Sequence, residues 1–165
     1  MYFSDMYADR VVPDRVKQDK VMWGEGFAGA LWWEDLVSMA GEVGFSTPRL
    51  VKAAPINVKK SVREITGDVQ YVAATYRLFK VTQNGNSVTS DVTYNGSVTG
   101  HDVTIALDKN STFQVGSVTE VDSELSAIIQ QSRFASAFTV VASKTADGEK
   151  TIPVNPFAGT TRTAA

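Results

Sequence analysis

The chain is 165 residues long, with 16 basic and 18 acidic side chains, a formal charge of -2 and no cysteine. That length suits one domain, or one small domain with part of another, and is enough to bury a real core. The near-neutral charge offers no footprint for nucleic acid, no stretch approaches the roughly 20 apolar residues of a membrane span, and the lack of cysteine excludes disulfides, thiolate metal sites and cysteine nucleophiles together.

Met1 to Tyr7 reads as a short strand or its exit. Met1 to Arg10 is polar and acidic, so no targeting peptide is expected, and the sequence leaves the compartment open. Ala8 to Lys20 alternates Asp with Arg and Lys around Pro13, which suits a solvated loop or short helix. The clearest helix follows Trp23 and its flanking glycines: Trp32, Leu36, Met39, Ala40 and Val43 recur at the spacing of one buried face, with Glu34, Asp35 and Glu42 on the other. Gly44 supplies its stop. Arg49 to Val58 reads as a strand that Pro55 confines to an edge or bend at its end, and Lys59 to Arg63 as a basic connector.

Beyond residue 68 the period changes. Val69, Tyr71, Ala73 and Thr75 occupy one phase of a strand and Val72, Ala74, Tyr76 and Leu78 the other, so both of its faces can be covered. Asn84-Gly85 and Asn95-Gly96 are turn signals between Val- and Thr-rich runs, and Val103, Ile105 and Leu107 alternate before a turn at Asp108 to Asn110. Asp122 or Ser123 caps a short helix with Leu125, Ile128, Ile129 and Phe134 facing inward. Phe138 to Ala142 reads as a last strand, and from Thr145 the composition predicts irregular structure.

Several segments carry a resemblance. Tyr2-Phe3-Ser4-Asp5, Val21-Met22-Trp23-Gly24-Glu25, Gly29-Ala30-Leu31-Trp32, Gly44-Phe45, Pro48-Arg49-Leu50-Val51, Ala74 to Lys80, Tyr94-Asn95-Gly96, Thr99-Gly100-His101 and Ser132 to Ala135 resemble, in wording and order, the C-terminal portion of eukaryotic-type arsenite methyltransferases. The resemblance implies an α+β fold: a remnant of a class I methyltransferase sheet over residues 1–68, a β-rich domain with one short helix over 69–142, and an irregular tail over 143–165. It also implies that the chain starts at the fifth strand of that sheet. The glycine-rich turn that binds S-adenosylmethionine in the family then has no counterpart here, so no cofactor-binding residue and no cofactor are expected.

Arsenic(III) is a soft centre, and the family holds it through thiolates. The position just after Trp-Gly-Glu, where the resemblance places one thiol, is Gly26, and nearby positions that often carry cysteine in relatives read Ser46 and Val69. No metal-binding or catalytic residue is therefore expected.

Other constellations have plain readings. His101, the only histidine, reads as a turn or hydrogen-bonding residue; Glu34 and Asp35 point to different sides of a helix; Asp122 and Glu124 read as a capping arrangement; and the Gly24, Gly26, Gly29 series lacks a phosphate-binding lysine. The aromatic cluster is different. Trp33 lies about 100° from Trp32 around the helix, so Trp23, Phe27 and Trp33 are candidate contacts with a partner.

Half a doubly wound sheet leaves an edge and a face that something must cover. The expectation is a non-catalytic accessory or structural subunit, not itself an enzyme, docking onto one or more protein chains of a larger assembly, without nucleic acid or a membrane span. The alternative is the C-terminal subunit of a split S-adenosylmethionine-dependent methyltransferase whose cofactor half is a separate polypeptide. A small-molecule binding module has no positive support in the sequence.

Overall fold

The computed structural model describes residues 1–82, 88–146 and 151–159. The first half runs β1 (Tyr2–Ala8), α1 (Asp14–Lys17), α2 (Lys20–Gly24), a 3-10 turn at Phe27–Gly29, β2 (Leu31–Trp32), α3 (Trp33–Glu42), β3 (Arg49–Pro55), α4 (Lys60–Thr66) and β4 (Tyr71–Arg77). The second half runs β5 (Val88–Tyr94), β6 (Thr104–Ala106), β7 (Thr112–Gln114), β8 (Val118–Val121), α5 (Ser123–Gln131), a 3-10 turn at Ala135–Ala137 and β9 (Phe138–Ala146). It is a mixed α+β fold, with three sheets among the described residues.

The first sheet has the order β2-β1-β4-β3. Its centre, β4, is antiparallel to both neighbours, with Met6 opposite Ala73 on one side and Ala53 opposite Ala74 on the other. Apolar clusters lie on both faces, although Ala73 is exposed, and this explains the apolar run of β4. Val72, Ala74 and Tyr76 join Tyr7, Leu50 and the α3 residues Leu36 and Ala40 on one face. Tyr71 joins Val16 of α1, Met22 of α2, Phe27 and Val62 of α4 on the other. A strand that the sequence reading put in the 69–142 segment is thus the centre of the first sheet, and the boundary at 68 cuts that sheet. Local pattern marks strands but not their neighbours.

The second half folds around its own core. β8, β5 and β9 form an antiparallel sheet, with Val92 opposite Thr119 on one side and Val140 on the other. β6 and β7 form a hairpin beside it, and α5 lays Leu125, Ile128 and Ile129 into a cluster with Tyr94, Phe113 and Phe138. The alternation at Ile105 and Leu107, the Asp122 cap and the inward Leu125, Ile128 and Ile129 of α5 lie as expected; Phe134 is buried but beyond the end of α5, Val103 is exposed, and β9 runs past the expected Ala142 to Ala146, into the stretch read as irregular. Asn84-Gly85 falls outside the described residues. Asn95-Gly96 does turn the chain: Gly96 has φ +78, and a Cβ there would meet a Val115 methyl at 3.0 Å and the Asp102 carbonyl at 3.1 Å. The turn does not close a hairpin, because β5 pairs with β8 and β9 rather than β6.

Three local expectations change. Met39 and Val43 are exposed at 52% and 60%, so the buried stripe of α3 narrows to Leu36 and Ala40. Met39 lies about 60° around the helix from Leu36, on the side away from Ala40, and Val43 lies beyond the last helical residue, Glu42. Lys59 to Arg63 is not a connector, because α4 starts at Lys60 and buries Val62 and Thr66 beneath its charged face. Residues 151–159 hold no helix or strand but are not loose, since Val154 and Phe157 pack against the α3-side cluster.

Candidate functional site

Two features of the fold are candidates: the outer edge of β1 and the cleft between the two halves. Met1 and Leu78 exchange both backbone bonds, Met1 N to Leu78 O at 2.7 Å and Leu78 N to Met1 O at 3.0 Å. In an antiparallel ladder the bonded pairs alternate. The backbone groups of Tyr2, Ser4 and Met6 therefore point away from β4, toward the other edge of β1. There β2 reaches only Tyr7 and Ala8, which pair with Leu31 and Trp32. Among the described residues no strand lies beside Tyr2 to Met6 on that edge. The Met6 amide is met instead by the carboxylate of its neighbour Asp5 at 2.8 Å. A charged side chain folded onto an edge amide is a known way of blunting an open strand.

The cleft between the halves has a volume of about 350 Å³ and is lined by Arg49, Asp108, Asp122 and Thr151 among others. Arg49 leaves β3, donates through Nη2 to Oε2 of Glu124 on α5 at 2.9 Å, and holds Nη1 3.6 Å from Asp108 Oδ2. Glu124 also accepts from the Thr47 amide at 2.9 Å and its hydroxyl at 3.1 Å. Glu124 is therefore a cross-link and not part of a cap, which Asp122 alone provides by accepting from the Leu125 amide at 2.6 Å. Asp108 closes the β6–β7 turn by accepting from the amides of Asn110 and Ser111, each at 2.8 Å. Arg77 adds a second bridge, donating through Nη1 to the carbonyls of Ala106 at 3.0 Å and Leu107 at 2.7 Å; burial lowers its pKa from the usual arginine value. The Arg49 charge is met by two carboxylates. The cleft thus presents a joint rather than an acid–base pair, and the described residues hold no group of side chains suited to a metal ion.

The aromatic candidates do not share one surface. Trp23 is 73% exposed, fixed by an indole N–H bond to the Lys17 carbonyl at 3.0 Å, with exposed Val21 beside it on α2. Phe27 is buried and stacks edge-on to Tyr71 at 4.9 Å. Trp33 is half-buried and packs against the cluster of Tyr7, Leu36 and Tyr76, while the indole nitrogen of Trp32 is buried without a partner. Helical spacing could not separate Trp32 from Trp33, because Trp32 ends β2 and only Trp33 starts α3. His101 lies in a loop, where its carbonyl accepts from the Tyr94 hydroxyl at 2.7 Å; Glu34 and Asp35 occupy the first turn of α3.

The positions tied to arsenic chemistry lie in two places. Gly26 sits at φ +84, and a Cβ built on it would stand 3.9 Å from the Met6 methyl. Met6 in turn packs against the cluster that contains Val69, so Gly26 and Val69 border one apolar region. Ser46 is buried elsewhere, after Phe45 of the α3-side cluster, with its hydroxyl unpaired. A hydrogen, an isopropyl group and a hydroxyl do not fit a soft arsenic(III) centre, which calls for thiolates.

The sequence pattern of the family described as Arsenite methyltransferase C-terminal domain matches residues 87–163. The human arsenite methyltransferase is 42% identical over 141 residues, covering 85% of this chain and 38% of the relative. The rat arsenite methyltransferase is 43% identical over 161 residues, covering 95% of this chain and 44% of the relative. An arsenic(III) S-adenosylmethionine methyltransferase from Chlamydomonas reinhardtii, known from its crystal structure, superposes with a TM-score of 0.82 at 30% identity, over 92% of this chain and 52% of that one. The chain thus spans about two-fifths of the curated relatives.

Proposed function

The chain is homologous to the C-terminal region of arsenite methyltransferases, and from that footing we propose that it is a non-catalytic accessory or structural subunit that docks onto a larger protein assembly. The observation that carries this reading is chemical: 165 residues hold no cysteine, and Gly26 and Val69 stand on the apolar region where the resemblance calls for thiols. The family pattern that matches is that of the C-terminal domain, and this too supports the reading. Docking is supported by the outer edge of β1, where the main-chain groups of Tyr2 and Ser4 face away from the sheet. Trp23 and Val21 are the proposed side-chain contacts, with half-buried Trp33 second; Phe27 serves the core.

The β1 edge also favours a second reading, a split methyltransferase in which another polypeptide supplies the cofactor half and pairs with that edge. Titration of S-adenosylmethionine and of arsenite by calorimetry tests both readings, with the chain alone and with whatever co-purifies from its native source. The accessory reading expects no heat from either ligand with the chain alone and no gain with the partner. S-adenosylmethionine binding that needs both polypeptides would replace it with the split enzyme, and submicromolar arsenite binding by the chain alone would overturn it.

A further inference from the structure

Phe134 lies just beyond α5 and is buried in the core of the second half. Two guanidiniums approach its ring: the central carbon of Arg77 is 5.9 Å from the ring centre and that of Arg133 is 5.0 Å from it. They come from different halves of the chain, Arg77 from β4 and Arg133 from the residues between α5 and the next 3-10 turn. Arg77 also stands 5.3 Å from the ring centre of Tyr2, its partner across β1 and β4, and Tyr2 is 60% exposed. An aromatic face attracts a guanidinium through its quadrupole, so the rings account for where the two groups sit. They do not cancel the charge.

Among the described residues, neither Arg77 nor Arg133 forms an ion pair with a carboxylate. The carboxylates of the junction are engaged elsewhere. Asp108 accepts from the amides of Asn110 and Ser111 and faces Arg49, and Glu124 bonds Arg49. Burial is the main cause that lowers the Arg77 pKa, and repulsion from Arg133 adds to it. Nη1 of Arg77 is committed to the carbonyls of Ala106 and Leu107, at 3.0 and 2.7 Å, which fixes the plane of the group. Its Nε and Nη2 meet no acceptor among the described residues and remain open to solvent.

We infer that Arg77 and Arg133 form an oxyanion site at the seam of the two halves, one that takes a phosphate group, free or carried on a small molecule. The Nε and Nη2 side of Arg77 is a fork that donates two parallel bonds to two oxygens of such a group. Because the carbonyls of Ala106 and Leu107 already hold Arg77 in place, little side-chain freedom remains for it to lose on binding. Arg133, exposed and drawn to the same ring, supplies the second positive charge. The anion relieves the repulsion between the two arginines. This site needs no partner chain, so it stands apart from the accessory reading.

Titration of inorganic phosphate into the isotope-labelled full chain at constant ionic strength tests this, followed at the arginine Nε–H resonances. The signals of Arg77 and Arg133 are expected to shift together and to saturate. Arg133→Gln is expected to bind phosphate about ten-fold or more weakly, with the amides of β4 unmoved. Arg77→Lys keeps the charge without the fork and is expected to lose a comparable factor. Lys20→Gln removes one exposed charge from α2 and is expected to leave the affinity unchanged. Phenyl phosphate in place of inorganic phosphate separates the two sources of the group, weaker binding pointing to the free ion and tighter binding to an ester. Three outcomes would overturn the inference: shifts that grow without saturating, an unchanged affinity in Arg133→Gln, or an equal loss in Lys20→Gln, which would reduce the effect to net charge.

Discussion

Arg49 on β3 and Glu124 on α5 meet at 2.9 Å across the junction of the two halves, with side chains only 8% and 14% exposed. The pair joins residues 75 positions apart, and Glu124 also holds the Thr47 main chain. Removing Glu124 takes the acceptor from the Thr47 main chain and leaves Arg49 with Asp108 as its remaining carboxylate, so Glu124→Ala should destabilise the chain by about 1–3 kcal/mol in urea unfolding. Arg49→Met, which leaves the carboxylates of both Glu124 and Asp108 without their cation, should cost more than Glu124→Ala. Equal losses in the two variants would show that the pair matters through packing and not through charge.

Leu36 and Met39 lie on the same helix and should respond differently. Leu36 is 9% exposed, and Leu36→Ala should cost about 2–5 kcal/mol. Met39 is 52% exposed, and Met39→Ala should stay within about 0.5 kcal/mol. Urea midpoints for the two variants check this, and coincident midpoints would mean that the helix is seated differently.

Alkaline pH should unfold the protein through its buried tyrosines. Burial first, then the Asp9 charge, pushes Tyr71 up to about 12; burial first, with Asp5 for Tyr7 and Tyr7 for Tyr76, pushes Tyr7 and Tyr76 well above the usual tyrosine range. A group whose folded pKa is raised keeps its full contribution below the unfolded value of about 10 and loses it as pH climbs toward the folded value. Stability should therefore be flat in this respect below pH 10 and fall above it, by at most about 1.4 kcal/mol per pH unit for each tyrosine. Absorbance of tyrosinate should rise together with loss of helical circular dichroism. Ionisation of Tyr71 near pH 10 in a still-folded chain would contradict this.

Adding one thiol should not create an arsenic site. Gly26→Cys places a side chain at φ +84, so the variant should lose about 1 kcal/mol of stability while gaining no submicromolar affinity for arsenite, since a single thiolate is too few. Calorimetry and a thermal melt on the same sample report both quantities.

Trp23 should matter to binding and not to folding. Trp23→Ala removes a side chain that is 73% exposed, so its unfolding curve should match the parent within about 0.5 kcal/mol while pull-down of the native partner weakens. Retention of the partner at full strength would move the proposed contact away from α2.

Much of this was legible in local pattern. The period of β4, the Asp122 cap on α5, the inward Leu125, Ile128 and Ile129, and the turn at Asp108 are short-range features, each set by residues within a few positions of one another. The lack of thiols at Gly26, Ser46 and Val69 needed no structure at all. What failed locally failed for a reason: α4 hides two buried residues under a basic face, and the Trp32–Trp33 pair straddles the end of a strand and the start of a helix, where one residue's offset changes the face.

By itself, then, the sequence determined most of the strands, the capped helix α5, the resemblance and the absence of thiols. Only the tertiary structure decided that β4 belongs between β1 and β3, that Glu124 crosses to Arg49, that Phe27 is core while Trp23 is surface, and that residues 151–159 return to the first sheet. Periodicity reports which face of an element is apolar. Which other element buries that face is settled by competition among all apolar surfaces of the chain, and that competition exists only in three dimensions.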